Sequence, residues 1–428
     1  MKFIIHRGAK QIGGSCVEIS TATTRLILDA GSALEEPSAV KTKRPKFARP
    51  ADLPNVSGLF SAGQKVDALL LSHAHGDHTG LLPWVNPEIP IYCSKGTSQM
   101  LMAGSLFAAQ KNEIPREHQT TLIPGKTIKI GDISVTGLSV DHSAYDCMAF
   151  LIEADGKRLL YSGDLRLHGR KPGMARALYK FIADQPVDIL LMEGTNFRTN
   201  SKADGSDNFT EEDLEATLCR AIKRADQLVL AHFSPQHFDR MISFFKATRD
   251  AGRIFVVDAY GAFVWDIIRR HEFRALMAKK QIRVYFNQSF QQSPKKHIPK
   301  LNDPFLAARI DLTEILAEPE RYTMLFRPSM LDLDFDGRLP KQALCLHSLW
   351  GGYLVKPEYK KLQAALKLTG GEFSECHTSG HIFAEDIEKF VKAVNPRHVV
   401  PIHTTGRSEF QKRFKNMLAV EDGQIIEV

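Results

Sequence analysis

Residues 72–80 read SHAHGDHTG, directly after the apolar run VDALLL at 66–71. His73, His75, Asp77 and His78 fall within six positions. His73 and His75 stand two apart, and on extended backbone alternate side chains share a face and reach one ion. Asp77 and His78 follow a glycine at the start of a helix and can face a second ion. Imidazole and carboxylate together suit zinc, manganese or iron better than calcium, which takes oxygen ligands. Such a cluster is incomplete alone, and three further groups supply what it lacks. His142 in SVDHSAYD, Asp164 in LLYSGD and His403 in HVVPIH each close an apolar run. Strand ends form a common rim, so these side chains are expected to converge. On this reading His73, His75 and His142 hold one metal, and Asp77, His78 and His403 hold another. Asp164 bridges the two. Two zinc ions, with manganese as the alternative, would sit about 3.5–4 Å apart around one hydroxide.

The bulk numbers leave room for this chemistry. A chain of 428 residues with 43% apolar content builds two or three domains, or one domain carrying a large insertion. No uninterrupted apolar run reaches the length of a membrane span. The opening MKFIIHRGAK is too short in apolar residues for a signal peptide, so a cytoplasmic location is expected. The six cysteines, Cys16, Cys93, Cys147, Cys219, Cys345 and Cys376, form no C-x-x-C pair and read as free thiols in a reducing compartment. A net charge of +7 permits an anionic partner without demanding one.

Short strand-like runs fill the first half: FIIH, CVEIS, RLILDAG, ISVTGLSV, MAFLIEA and VDILLMEG. Near residue 210 the texture changes. FTEEDLEATLCRAIKRA opens a helix at Thr210, and QLVLAHF, RIFVVDA, IRVYF, YTMLF and ALCLHS then recur with helices between them. That alternation predicts an α/β unit with a parallel sheet. The end of the chain returns to strand (GEFSECH), helix (EDIEKFVKAV) and strand (HVVPIH).

The motifs SHAHGDH, DH, SGD and IH, with Asp29 in LILDAG, resemble those of the metallo-β-lactamase superfamily, in the same order. In small members the last histidine follows soon after the bridging aspartate. Here Asp164 and His403 lie 239 positions apart. With Glu193 in LMEGTN and the stretch HTSGH at 377–381, the sequence resembles the β-CASP branch, and most of all ribonuclease J and related RNA-processing nucleases. The resemblance implies an αββα sandwich with an inserted α/β β-CASP domain. Residues 1–205 and 371–428 would form the sandwich and 206–370 the insertion. It implies a metal-dependent nuclease that hydrolyses phosphodiester bonds, with RNA favoured over single-stranded DNA. The same metals could serve a small-molecule hydrolase of a thioester, lactam or cyclic nucleotide, against which the insertion argues. Action from the 5′ end rests on HTSGH alone, and the resemblance leaves room for a homodimer.

Roles follow in part from chemistry and in part from the resemblance. Asp77 has a carboxylate oxygen free to orient the attacking hydroxide. By resemblance, His381 would protonate the leaving oxygen and Glu193 would fix the orientation of a histidine by accepting its second N–H. By resemblance too, His377, Ser379 and His381 would grip the phosphate beside the scissile one. The sequence departs from the ribonuclease J pattern in two places. His403 is followed by Thr404, Thr405 and Gly406 instead of Gly-Glu, and HSLWGGYL replaces a glycine-rich polar element before HTSGH. In that stretch His347 ends an apolar run, and Gly351 and Gly352 would let a ligand approach the backbone closely. Phe233 reads either as a base-stacking ring or as core. Nine basic residues between 261 and 300, with KTKRPKFAR at 41–49, would suit a phosphate-tracking groove or a solvated face equally well.

Overall fold

The computed structural model describes residues 1–34, 53–197 and 209–428. The chain divides into two compact units, Met1–Gly205 with Ser379–Val428, and Ser206–Thr378.

The first unit holds two sheets. One runs Ile425–Glu427, Lys2–Arg7, Cys16–Ser20, Arg25–Leu28, Ala68–Leu71, Ile91–Ser94, Gln119–Leu122 in spatial order. Every residue of Arg25–Leu28 and Ala68–Leu71 is buried, which is why these stretches read as unbroken runs and not as alternation. The other sheet runs His398–Ile402, Ile189–Glu193, Lys157–Tyr161, Met148–Ala154, Ile133–Ser139, Thr127–Ile130. Its edge strand His398–Ile402 pairs in parallel with Ile189–Glu193, although more than half of the chain's second half separates them. Between the sheets Phe3, Ile19, Leu28 and Leu70 from the first pack with Phe150, Tyr161, Leu191 and Ile402 from the second. On the far face of the second sheet, Leu178 and Ile182 of helix Pro172–Ile182 and Ile387 and Phe390 of helix Ala384–Val394 join Leu151, Leu160 and Leu190. This is the layered sandwich expected from the sequence.

The second unit is one sheet of six strands in the order Ile282–Tyr285, Ile254–Asp258, Tyr322–Leu325, Val229–His232, Leu344–His347, Glu372–Glu375. Every pairing is parallel. Its last strand shows a difference from the sequence reading, which began the returning sandwich at residue 371. Glu372–Glu375 pairs with Leu344–His347 and so belongs to the inserted unit, and the return falls at Ser379. A four-residue strand carries no mark of which sheet it will join. All six cysteines are free, five of them buried. Among the described residues, no helix is long and apolar enough to cross a membrane.

Candidate metal centre

The seven histidine and aspartate groups singled out above stand close behind the C-terminal ends of strands of the first unit. Ser72 and His73 follow Ala68–Leu71, His142 follows Ile133–Ser139, Asp164 follows Lys157–Tyr161, and His403 follows His398–Ile402. His75 is extended at φ −67°, ψ 151°, and Gly76–Thr79 then makes one helical turn carrying Asp77 and His78. Gly31 lets that turn approach, because a Cβ there would meet the Asp77 carbonyl oxygen at 1.7 Å. His403 (φ 51°) and Asp29 (φ 60°) both adopt left-handed backbone, a conformation that costs about 1–3 kcal/mol outside glycine and clusters at functional sites.

Ligand atoms of His73, His75 and His142 lie within 4.8 Å of one another, and so do those of Asp77, His78, Asp164 and His403. Asp164 stands in the middle. Its Oδ2 is 3.1 Å from His78 Nε2, 3.7 Å from His73 Nε2 and His381 Nδ1, and 3.8 Å from His142 Nε2. Its Oδ1 is 3.8 Å from His403 Nδ1. Yet both Asp164 oxygens, His73 Nε2 and His78 Nε2 are buried without a hydrogen-bond partner. The closest approach among them is the ion pair of His78 Nε2 with Asp164 Oδ2 at 3.1 Å. Four orphaned polar atoms facing one another are costly unless something polar sits among them. A cation does so, and the imidazole–carboxylate set fits a metal of the zinc or manganese kind.

Outer partners hold the rings in place. His142 Nδ1–H donates to Gly380 O at 2.5 Å, which leaves its Nε2 lone pair pointing inward, and His78 Nδ1–H donates to Asp29 Oδ2 at 2.7 Å. Burial would lower His78, but the carboxylates of Asp164 and Asp29 outweigh it and raise this ring well above the usual histidine range. Ser72 Oγ lies 3.0 Å from His73 Nδ1, and Thr195 Oγ1 2.9 Å from His403 Nδ1. Asp29 also accepts from the Ser72 amide and hydroxyl and from Tyr161 OH, each at 2.7 Å. Burial, reinforced by neighbouring rings, holds His73 and His142 well below the usual histidine range, so both are neutral, as ligands must be. Burial opposes charge on Asp164 as well, but His403, His78 and His381 outweigh it and keep the carboxylate ionised.

His381 Nδ1 lies 3.2 Å from Glu193 Oε1, which also accepts from the Leu165 amide at 3.1 Å. Burial would lower this ring, but the carboxylates of Glu193 and Asp164 outweigh burial and raise it to about 9. Ser379 Oγ accepts from Asn196 Nδ2 at 3.0 Å and from the His381 amide at 3.1 Å, and its own O–H remains to donate. Asn196 also donates to the carbonyls of His381 and Ile382 and so fixes this segment. His377 falls in the second unit, apart from Ser379 and His381 in the first. There its Nδ1 accepts from Arg240 Nη1 at 3.2 Å, and since a guanidinium only donates, the ring's proton sits on Nε2.

Burial and pairing decide between the readings left open above. His347 is fully buried and 2.9 Å from His232 through their Nδ1 atoms, so it is a packing residue and presents nothing to a substrate. Phe233 is 2% exposed and stacked on Phe244, which makes it core. In the basic stretch, Arg270 and Arg274 both pair with Asp266, Arg269 with Glu272 and Arg283 with Glu314, so much of its charge is already matched. KTKRPKFAR lies outside the described residues. Sequence reasoning missed Asn196, Thr195 and Arg240. No spacing rule marks them, because each acts on a segment more than a hundred residues away.

Comparison with known proteins adds an independent line. Residues 24–238 match the model of a beta-lactamase superfamily domain, and residues 372–427 match that of a Zn-dependent metallo-hydrolase RNA specificity domain. Ribonuclease J of Helicobacter pylori is 21% identical over 439 aligned residues, covering 98% of this chain and 60% of the relative. An RNase J-like protein of Methanocaldococcus jannaschii is 28% identical over 209 residues, covering 44% of this chain and 41% of that protein. The chain thus spans 60% or less of the length of these curated relatives. A solved structure of a protein of unknown function from Enterococcus faecalis superposes with a TM-score of 0.78 at 24% identity, over 99% of each chain.

Proposed function

Because the chain belongs to the metallo-β-lactamase superfamily, we propose that it is a metal-dependent nuclease that hydrolyses phosphodiester bonds of RNA. The observation that carries this reading is Asp164, buried and ionised at the centre of the rings of His73, His78, His142 and His403, with neither oxygen in a well-aligned hydrogen bond. The match to an RNA specificity domain and the ribonuclease J relatives favour RNA over a small molecule. In this reading His73, His75 and His142 hold one cation, Asp77, His78 and His403 the other, and Asp164 stands between them; zinc fits the donors, and manganese is the alternative. When bound, such a pair supplies a water acidified toward neutral pH and positive charge opposite the phosphate.

The chain's own residues do the rest. Asp77 keeps one oxygen 3.1 Å from His403 Nε2 and has the other to align the attacking water's proton. The water oxygen bonds to phosphorus as the bond to the leaving nucleotide oxygen breaks. That oxygen takes a proton from His381, whose Nδ1 is anchored on Glu193. Ser379 offers its O–H to a phosphate oxygen. The test is an incubation of the purified full chain with zinc or manganese and end-labelled RNA and DNA, beside a chromogenic thioester and a lactam. RNA cleavage that vanishes in Asp77→Ala and His381→Ala supports the reading. Turnover of only the thioester or lactam overturns it.

A further inference from the structure

The segment that departs from the ribonuclease J pattern, HSLWGGYL, builds a surface feature of the second unit. After strand Leu344–His347 the chain makes a 3₁₀ turn over Gly351–Val355 and enters helix Pro357–Leu368. Trp350 is 46% exposed and Tyr353 37% exposed, unusual for rings of this size in a turn. Neither is loose. A Cβ on Gly352 would meet three consecutive atoms of the Trp350 six-membered ring at 2.3, 2.4 and 2.5 Å. Near-equal distances to neighbouring ring atoms mean that the indole lies with its face on the glycine, since an edge-on approach would favour one atom. The space that the glycine pair seemed to hold open for a ligand is filled by the protein's own indole. Tyr353 stands perpendicular to it at 82°, centroids 5.5 Å apart, and the Lys356 ammonium sits 4.6 Å from the Tyr353 ring centre.

We infer that Trp350, seated on Gly352 and flanked by Tyr353 and Lys356, is a stacking shelf for a nucleobase of a single-stranded RNA. This rests on the nuclease reading above, and three observations point to it. First, a fixed, exposed indole loses little freedom when a planar ring stacks on it, and base–aromatic stacking is how single strands are held without sequence preference. Second, Lys356 provides one cation for the adjoining phosphate, while Glu375 Oε2 lies beside Gly351, so the patch is not broadly basic and stacking must carry the contact. Third, the exposed apolar groups of this segment are Trp350, Tyr353 and Val355. An aromatic side chain offers about 150–250 Å² at most, well short of the roughly 800 Å² a partner contributes to a stable protein interface. The shelf also leaves the C-terminal side of a strand in an open parallel sheet, the side on which such sheets bind ligands.

The full chain carrying Trp84→Phe leaves Trp350 and the buried Trp265 as its tryptophans. Acrylamide quenching of its fluorescence is measured with and without a 12-nucleotide oligo(A) under chelation. The RNA is expected to shield Trp350. In metal-loaded enzyme Trp350→Ala should raise KM for the 12-mer about tenfold with kcat unchanged, and Trp350→Phe should recover most of the loss. Gly352→Ala, which keeps the indole but unseats it, should match Trp350→Ala, and the double variant should be no worse than either. Trp350→Ala should leave the salt dependence of binding unchanged, whereas Lys356→Gln should reduce its slope by about one. An oligonucleotide with an abasic run should bind wild type and Trp350→Ala alike. Wild-type binding and cleavage by Trp350→Ala, with Trp350 of the Trp84→Phe chain still quenched by acrylamide in the complex, overturn the shelf and leave the nuclease reading standing. Loss of a dimer in Trp350→Ala with RNA binding intact assigns the patch to a second copy of the chain and also overturns it. Failure of wild type to bind any oligonucleotide overturns both readings.

Discussion

Both units end parallel strands in buried histidines, and the two sets are chemically different. In the first unit the rings of His73, His78, His142 and His403 surround Asp164. In the second, His232 and His347 face each other, with Tyr359 packed against both. Each unit leaves ring nitrogens buried without a partner, His73 Nε2 in one and His347 Nε2 in the other. What separates them is the carboxylate. Burial lowers His232 to about 3 and His347 to about 4, and no acid offsets it. Among the described residues, every cluster of three or more metal-donor groups lies in the first unit. A strand-end histidine is therefore a ligand candidate only where an anion stands among the rings to balance the ion.

The strongest way to break this contrast is to remove the anion. Asp164→Asn keeps the shape and deletes the charge. It should reduce bound metal below one ion per chain and turnover by three or more orders of magnitude, roughly 4 kcal/mol of barrier. Elemental analysis and single-turnover cleavage check both, and full metal content in the variant would remove Asp164 from the account.

In the second unit the corresponding stake is stability. Arg240 is fully buried, pairs with Glu211 at 2.9 Å, and donates to Ser348 O, Thr378 O and His377. Arg240→Ala strands a buried carboxylate and should destabilise that unit by about 3–5 kcal/mol, while metal binding to the first unit persists. Denaturant unfolding beside metal analysis separates the two effects.

A subtler effect concerns His381. A group whose pKa is raised is protonated at neutral pH and loses its proton as pH climbs through that value, so a donor of this kind gives an alkaline fall in activity. Glu193 is the largest of the three charges, with Asp164 and Asp77, that raise it. Glu193→Gln should therefore move the alkaline limb of kcat to lower pH by about one unit. An unmoved limb would assign the donor role elsewhere. The smallest effect expected is in the neutral pair. With its pKa depressed on folding, His347 contributes stability that is present above the ordinary histidine range and is lost as pH falls toward about 4. His347→Gln should make acid unfolding set in at slightly lower pH, with metal content and activity unaltered.

The sequence disclosed the part of the fold built on long apolar runs. VDALLL, LLYSGD and VDILLMEG hold buried strands whose ends carry chemistry, and the change of texture near residue 210 is where the second unit begins. What it could not disclose was pairing and depth. GEFSE is a strand in either unit until its neighbour is known. His347 and Phe233 occupy positions that suit a ligand, and burial alone disqualifies them. Thr195, Asn196 and Arg240 were illegible for a related reason, because their partners are brought to them only by the fold.

The most direct test of the central claim is anomalous diffraction from crystals of the metal-loaded chain, collected on both sides of the zinc edge. Two peaks about 3.5–4 Å apart flanking the Asp164 carboxylate are expected, and none at His232 and His347. Density at the second pair, or an empty first site in protein of full zinc content, would contradict it.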